Sequence, residues 1–288
     1  FKATLNCERE KAVAPCSPLS AISLNFNAPI DARLLGKFRL QTPEGVRAPI
    51  DPNASGGSRE ATLQSLSFAG PFPQNAALTL EIPAGLKDDA GRSLSNAASF
   101  PLKTQTGTLP PLVVMSHGGP TAMAEPALRP GIQYYTQRGI AVVDVNYGGS
   151  TGFGRGYRLR LDGRWGEVDV DDVCGAARHL VATGRVDGER LCIRGGSAGG
   201  YTTLAALTFR PGLFRAGASH YGIGDLATLA RDTHKFEARY LDSLVGPWPA
   251  AADVYAARSP VHHVDRITSA LILFQGDEDE AVPPAQSQ

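Results

Sequence analysis

Two kinds of hydrophobic pattern divide the chain. Up to residue 106, apolar and polar positions alternate in short bursts, at 21–26, 36–40, 61–68 and 77–82. Period-two alternation puts every second side chain on one face, so each burst predicts a half-buried strand. The text between them is turn chemistry: DPNASGGS at 51–58 and KDDAGRS at 87–93 concentrate Pro, Gly, Asn and Asp. Short strands separated by such turns, with nothing of helical length, predict a small all-β sandwich over 1–106.

From residue 107 to 288 the pattern changes. PLVVMSHGG, IAVVDVNYGG, RLCIRGGS, RAGASHYG and ALILFQGD are compact apolar runs, each ending on Gly or a polar residue. Amphipathic stretches long enough for helices lie between most of them, at 126–138, 168–183, 198–209 and 225–245. Buried strands alternating with helices predict an α/β fold with a mostly parallel sheet covered on both faces. Such sheets bind ligands beyond the carboxyl ends of their strands. His117, Asn146, Ser197, His220 and Asp279 collect at those ends, the first indication of where function sits.

Composition narrows the class. Lys+Arg and Asp+Glu balance at 28 each, so no bulk charge draws the chain to nucleic acid. No apolar run approaches the ~18 residues of a membrane span. The chain opens FKATLNCERE, without Met or a signal-like segment, and reads as a piece of something longer. Of the four cysteines, Cys7 and Cys16 could close a short loop in an oxidising compartment. Cys174 and Cys192 sit in apolar patterns and read as buried. Neither pair has metal-site spacing, and no motif implies a cofactor. Glu167, Asp169, Asp171 and Asp172 read as a helix N-terminus favouring acids in preference to a metal cluster. Trp165 and Tyr157 are expected near the mouth of the site, and 233–237 over it as a helix cap.

The chemistry begins at Gly195-Gly196-Ser197-Ala198-Gly199-Gly200, between the apolar run LCIR and the helical pattern YTTLAALTF. G-x-S-x-G between a strand and a helix is a turn tight enough to lift the serine hydroxyl above the sheet. The helix N-terminus behind it favours developing negative charge. Alone, the motif could equally be a glycine-rich structural turn. His117-Gly118-Gly119-Pro120, ending an earlier strand, supplies the Gly-rich loop from which such hydrolases draw a second oxyanion donor. Gly119 and Ala198 N–H are the expected oxyanion pair. An acid belongs on a loop after a later strand, where GDEDEAVPP at 276–284 offers Asp277 and Asp279, and spacing does not choose between them. His117, Asn146, Tyr147 and Tyr201 are candidate substrate contacts, with a peptide as the expected substrate.

HGGP, NYGGSTGFGR (146–155), WGEVDVDD (165–172), GGSAGGY (195–201) and GDEDEAVPP, in this order, resemble the catalytic domain of the prolyl oligopeptidase family. DTHKFEARYLDSLVGP at 232–247 points to its acylaminoacyl- and dipeptidyl-peptidase-like branch. The resemblance covers about 108–288. It implies an α/β-hydrolase fold, serine peptidase activity with Ser197 as nucleophile, and Asp279 as the acid. It also places the triad histidine some thirty residues after that acid, whereas the chain stops at Gln288 and none of its six histidines follows Asp279. The resemblance therefore leads us to expect a truncated sheet and a chain with little activity, since the serine would lack its base. In some members a Tyr stands where this chain has His117. An esterase on the same fold, or a non-catalytic binding protein, are the rival readings.

In front, where the family usually carries a large propeller, CEREKAVAPC (7–16), PFP (71–73) and IPAGLKDDAGRSLSNAASFPL (82–102) resemble an immunoglobulin-like domain of bacterial alpha-2-macroglobulin. That resemblance spans about 1–105 and implies a protease-trapping ancestry with no catalytic role, so the chain reads as two partial genes joined near 104–110. It fits a periplasmic setting and the peptidase part a cytoplasmic one, so localisation stays open, as does oligomeric state.

Overall fold

A computed structural model describes residues 1–52, 54, 61–232 and 239–287. The chain divides into two compact units, Phe1–Leu109 with Thr183–Arg185, and Pro110–Ala182 with Val186–Gln288.

Among its described residues the first unit holds seven strands: β1 (Ala3–Asn6), β2 (Ile22–Asp31), β3 (Arg39–Thr42), β4 (Gly45–Arg47), β5 (Thr62–Phe68), β6 (Ala77–Glu81) and β7 (Leu102–Gln105). They form two antiparallel sheets, ordered β1-β2-β5 and β4-β3-β6-β7. Along β2 every second residue from Ile22 to Ile30 is buried, as the alternation requires. Leu24, Phe26 and Ile30 from one sheet share a core with Leu40, Leu78 and Leu80 from the other. The strand expected at 36–40 begins only at Arg39, because Ala32–Lys37 is a 3-10 turn. Asp31 caps that turn by accepting the Arg33 N–H at 2.9 Å. The turn cluster expected at 51–58 lies partly outside the described residues. Cys7 and Cys16 are joined by a disulfide, their Cα atoms 5.6 Å apart.

The second unit holds β8 (Leu112–Ser116), α1 (Pro130–Thr136), β9 (Ala141–Val145), α2 (Arg155–Arg158), α3 (Val168–Ala182), β10 (Leu191–Gly196), α4 (Ala198–Phe209), β11 (Ala216–His220), α5 (Leu226–Asp232), α6 (Tyr240–Leu244), α7 (Ala252–Arg258) and β12 (Ala270–Phe274). The five strands are all parallel, in the order β12-β11-β10-β8-β9. β8 is buried along its whole length, which is why it reads as a continuous apolar run. α3 and α4 both pack on the sheet, and α4 lies against β8, β10 and β11. Of the long helix expected at 225–245, the described residues show α5 and α6. Residues 233–238 between them are outside the described residues, and with them the segment expected to cap the site.

One buried carboxylate ties the two covering helices together. Asp169, at the start of α3, accepts the Gly166 N–H at 2.7 Å and the Thr202 hydroxyl of α4 at 2.6 Å. Loss of water raises its pKa from 3.8 to about 6, against the opposing pull of those hydrogen bonds. The other carboxylates of that run go to cations and backbone: Glu167 to Arg258, Asp171 to Arg210, and Asp172 to the Gly148 N–H.

Two stability measurements follow. Cys7→Ser opens a loop of nine residues' separation and is expected to destabilise the first unit by about 2 kcal/mol in chemical denaturation under oxidising conditions. The same variant under reducing conditions should match the wild type. Asp169 binds its proton more tightly folded than unfolded, so stability from this group is greatest below about pH 4 and falls as pH rises to about 6. The wild type should therefore lose roughly 3 kcal/mol over that window relative to Asp169→Asn, in urea melts at each pH. A pH-independent difference would contradict the assignment.

Candidate active site

The residues at the end of β10 form the turn that sequence pattern suggests. Ser197 has φ 55° and ψ −122°, a left-handed backbone unusual for a side chain that is not glycine. Such strain persists only where the surroundings impose it. Here Ser197 N–H donates to the His220 carbonyl at 3.0 Å, and its own carbonyl accepts the Tyr201 N–H at 3.0 Å. Two flanking glycines are dictated by close approach. A Cβ on Gly195 would stand 2.2 Å from the Gly199 carbonyl oxygen, and one on Gly199 would stand 2.1 Å from that of Ser116.

The His117–Pro120 loop lies alongside. A Cβ on Gly118 would come 3.3 Å from the Gly196 carbonyl oxygen and 3.7 Å from Ser197 Cβ, so the loop backbone runs directly past the serine. Gly119 has φ 122°, and among the described residues its N–H has no acceptor. Ala198 opens α4, so its N–H is one of those a helix leaves unpaired. Gly119, Ala198 and Ser197 all line one small cavity of about 60 Å³. Its remaining walls are apolar or aromatic, chiefly Trp165, Ile223, Leu229, Tyr240, Leu241 and Val282.

The two candidate carboxylates differ in their surroundings. Asp279 accepts the N–H groups of Ala281 at 3.0 Å and Val282 at 2.9 Å, and both of those residues line the small cavity. Asp277 is exposed. Two glutamines with no sequence signature brace this loop. Gln275 donates to the Val282 carbonyl at 2.7 Å, and buried Gln286 accepts the N–H groups of Gly224 and Asp225.

Three of the candidate substrate contacts are placed differently from expectation. Tyr147 is fully buried, and its hydroxyl donates to the carbonyls of His117 and Pro120, both at 3.0 Å. Tyr201 is also fully buried, with its hydroxyl on the Arg258 carbonyl at 3.0 Å. Asn146 accepts the Ala124 N–H at 2.8 Å. Each spends its polar group on backbone, and so braces the site from behind and does not face a ligand. His117 lines a second, wider cavity, yet its Nε2 lies 2.7 Å from Ser150 Oγ and its Nδ1 2.8 Å from the Gly118 carbonyl. Its ring stacks on Tyr147 at 4.2 Å, and burial lowers its pKa. It too holds the loop. Trp165, expected near the mouth, is fully buried and lines the small cavity. Tyr157 donates to the Asn146 carbonyl. Among the described residues no histidine ring is hydrogen-bonded to the Ser197 hydroxyl, and no group of His, Cys, Asp and Glu could hold a metal ion. No described helix is long and apolar enough to cross a membrane.

This geometry agrees with what the chain is similar to. A dipeptidyl aminopeptidase BIII of Pseudoxanthomonas mexicana is 35% identical over 182 residues, 62% of this chain and 26% of the relative. The human acylamino-acid-releasing enzyme is 31% identical over 211 residues, 69% of this chain and 27% of the relative. The chain thus spans about a quarter of the length of these curated relatives. Among solved structures, a Mycobacterium tuberculosis puromycin-hydrolyzing peptidase matches with TM-score 0.62 and 45% identity, over 74% of this chain and 30% of that one. A puromycin hydrolase matches with TM-score 0.61 and 29% identity, over 98% of this chain and 49% of that one. These neighbours are peptidases of the α/β-hydrolase type, as expected for residues 107–288. The family model for prolyl oligopeptidases matches residues 126–288, more than half of the sequence and the stretch that carries Ser197 and Asp279, and the chain belongs to the prolyl oligopeptidase family.

Proposed function

We propose that residues 110–288 are catalytic machinery of a serine peptidase that cleaves peptide bonds through an acyl-enzyme. The observation that carries this reading is the strained Ser197 elbow with two backbone donors beside it, Gly119 and Ala198 N–H, that have no acceptor among the described residues. Ser197 Oγ attacks the scissile carbonyl, and the two N–H groups take the negative charge that develops on its oxygen. Asp279, held by two backbone N–H groups, orients the histidine that accepts the serine proton. The family resemblance places that histidine after the acid. The small cavity receives the side chain on the acyl side of the cleaved bond. Its apolar walls favour an uncharged or aromatic residue there, since a charge would lose its water without a partner. Acylaminoacyl or dipeptidyl substrates are the class suggested by the relatives' names.

For residues 1–109 we keep the reading of a non-catalytic immunoglobulin-like module. Two antiparallel sheets over one core support it.

The test is hydrolysis of aminoacyl and dipeptidyl arylamides by the protein extended past Gln288, with matched esters in parallel. Amide cleavage with a preference for apolar acyl residues, abolished by Ser197→Ala, is the expected result. Ester cleavage alone would favour an esterase. In the same assay Asp279→Asn should lower kcat by about 10⁴-fold, as loss of a histidine-orienting acid does. Asp277→Asn, at an exposed position, should stay within about twofold of wild type.

A further inference from the structure

Two tyrosines from separate elements grip the loop that carries the Gly119 N–H. Tyr147, just past β9, donates to the carbonyls of His117 and Pro120. Its chain neighbours add to the same grip. Ser150 Oγ lies 2.7 Å from His117 Nε2, Asn146 accepts the Ala124 N–H, and the Thr151 N–H donates to the Ala122 carbonyl at 2.8 Å. The second grip comes from α6. The Tyr240 hydroxyl accepts the Thr121 N–H at 3.3 Å and lies 2.6 Å from Thr121 Oγ1. That helix is itself firmly placed. The Ser243 and Leu244 carbonyls accept the N–H groups of Gly163 at 2.7 Å and Trp165 at 3.1 Å, and Leu241 and Leu244 are buried in the core. Tyr240 therefore holds Thr121 from a fixed support. Gly119 follows Thr121 closely: it has φ 122°, and a Cβ on it would stand 2.8 Å from the Thr121 nitrogen. A loop folded back this tightly cannot shift Thr121 without shifting Gly119. Tyr240 also lines the small cavity, beside Gly119 and Pro120.

We propose that Tyr240 is a positioning residue that couples the acyl side chain of the substrate to the oxyanion donor. Its ring is a wall against which that side chain packs. Its hydroxyl sets, through Thr121, where the Gly119 N–H stands. This rests on the reading of Ser197 as nucleophile and of the small cavity as the acyl pocket. A backbone donor stabilises an oxyanion only when it is held at the right distance from the developing charge. Contact with the Tyr240 ring is thus realised as a better-placed donor, and appears in kcat more than in affinity. The substrates so selected carry an uncharged acyl side chain long enough to reach the ring, leucyl above alanyl.

Leucyl and alanyl arylamides test this on the protein extended past Gln288. Tyr240→Phe keeps the ring and removes the hydroxyl. Its kcat for the leucyl substrate should fall about tenfold while KM stays within about twofold of wild type. The leucyl-to-alanyl ratio of kcat should fall with it, toward one. Thr121→Val removes only the partner hydroxyl, and should lower kcat about threefold at unchanged KM. It carries the test should Tyr240→Phe fail to fold. The double variant should be no slower than Tyr240→Phe alone, because both substitutions act on one contact. A rise in KM at unchanged kcat overturns the proposal, since Tyr240 would then be a wall of the pocket and nothing more. Unchanged kinetics, an unchanged leucyl-to-alanyl ratio, or additive losses in the double variant overturn it too, and each leaves the nucleophile assignment standing. A wild type that neither hydrolyses the arylamides nor labels at Ser197 with a fluorophosphonate removes that assignment, and the proposal with it.

Discussion

The constraint on which the candidate site depends is a backbone one: a Cβ on Gly199, in the first turn of α4, would stand 2.1 Å from the Ser116 carbonyl oxygen at the end of β8. That approach lets the chain reverse from β10 into α4 within a single strained residue. Any side chain at 199, or at 195 against the Gly199 carbonyl, would push the helix away and relax Ser197 toward ordinary backbone angles. Everything functional hangs on the reversal. It sets Ser197 at the junction of strand and helix, places the Ala198 N–H in the first turn of α4, and brings Gly118 past the serine. The strain, on the order of 1–3 kcal/mol for a residue so placed, is met by the parallel strands on either side and by Asp169 pinning α4 to α3.

Around that turn the supports are mostly aromatic hydroxyls and amides spent on backbone carbonyls. Tyr147 grips both ends of the His117–Pro120 loop, Tyr201 reaches Arg258, and Gln275 and Gln286 hold the Asp279 loop from behind. A site built this way has little freedom to adjust, which is the condition for stabilising a charge that appears only transiently. It also explains why residues that look like substrate contacts in the sequence are not placed as such.

The sheet and its covering helices were legible because their signals are local. The helix expected at 198–209 is found at Ala198–Phe209, and that at 168–183 at Val168–Ala182, each bounded by glycine or a charged turn. The stretch 225–245 read as one helix because its apolar spacing is continuous, while the described residues show α5 and α6, with Arg239 ahead of α6 outside helical angles. In the first unit β1, β4 and β7 were missed because three or four residues are too few to show alternation. For the site, Ser197, Gly119, Ala198 and the choice of two aspartates came from motif order. Motif order left two aspartates open and the family resemblance pointed to Asp279; the two backbone N–H groups that Asp279 accepts are visible only in three dimensions. The placement of Tyr147 and Tyr201 was equally out of reach: Tyr147's carbonyl partners are 30 and 27 residues away, and Tyr201's is 57 residues away.

The central claim is that the Ser197 hydroxyl, and no other, is made nucleophilic by this arrangement. Intact-mass analysis after exposure to a fluorophosphonate, followed by tandem mass spectrometry of the peptide carrying GGSAGGY, tests it most directly. One adduct per chain, mapped to Ser197 and lost on unfolding before treatment, is the result the account predicts. An adduct elsewhere, or none in folded protein extended past Gln288, would contradict it and leave Ser197 as the apex of a structural turn.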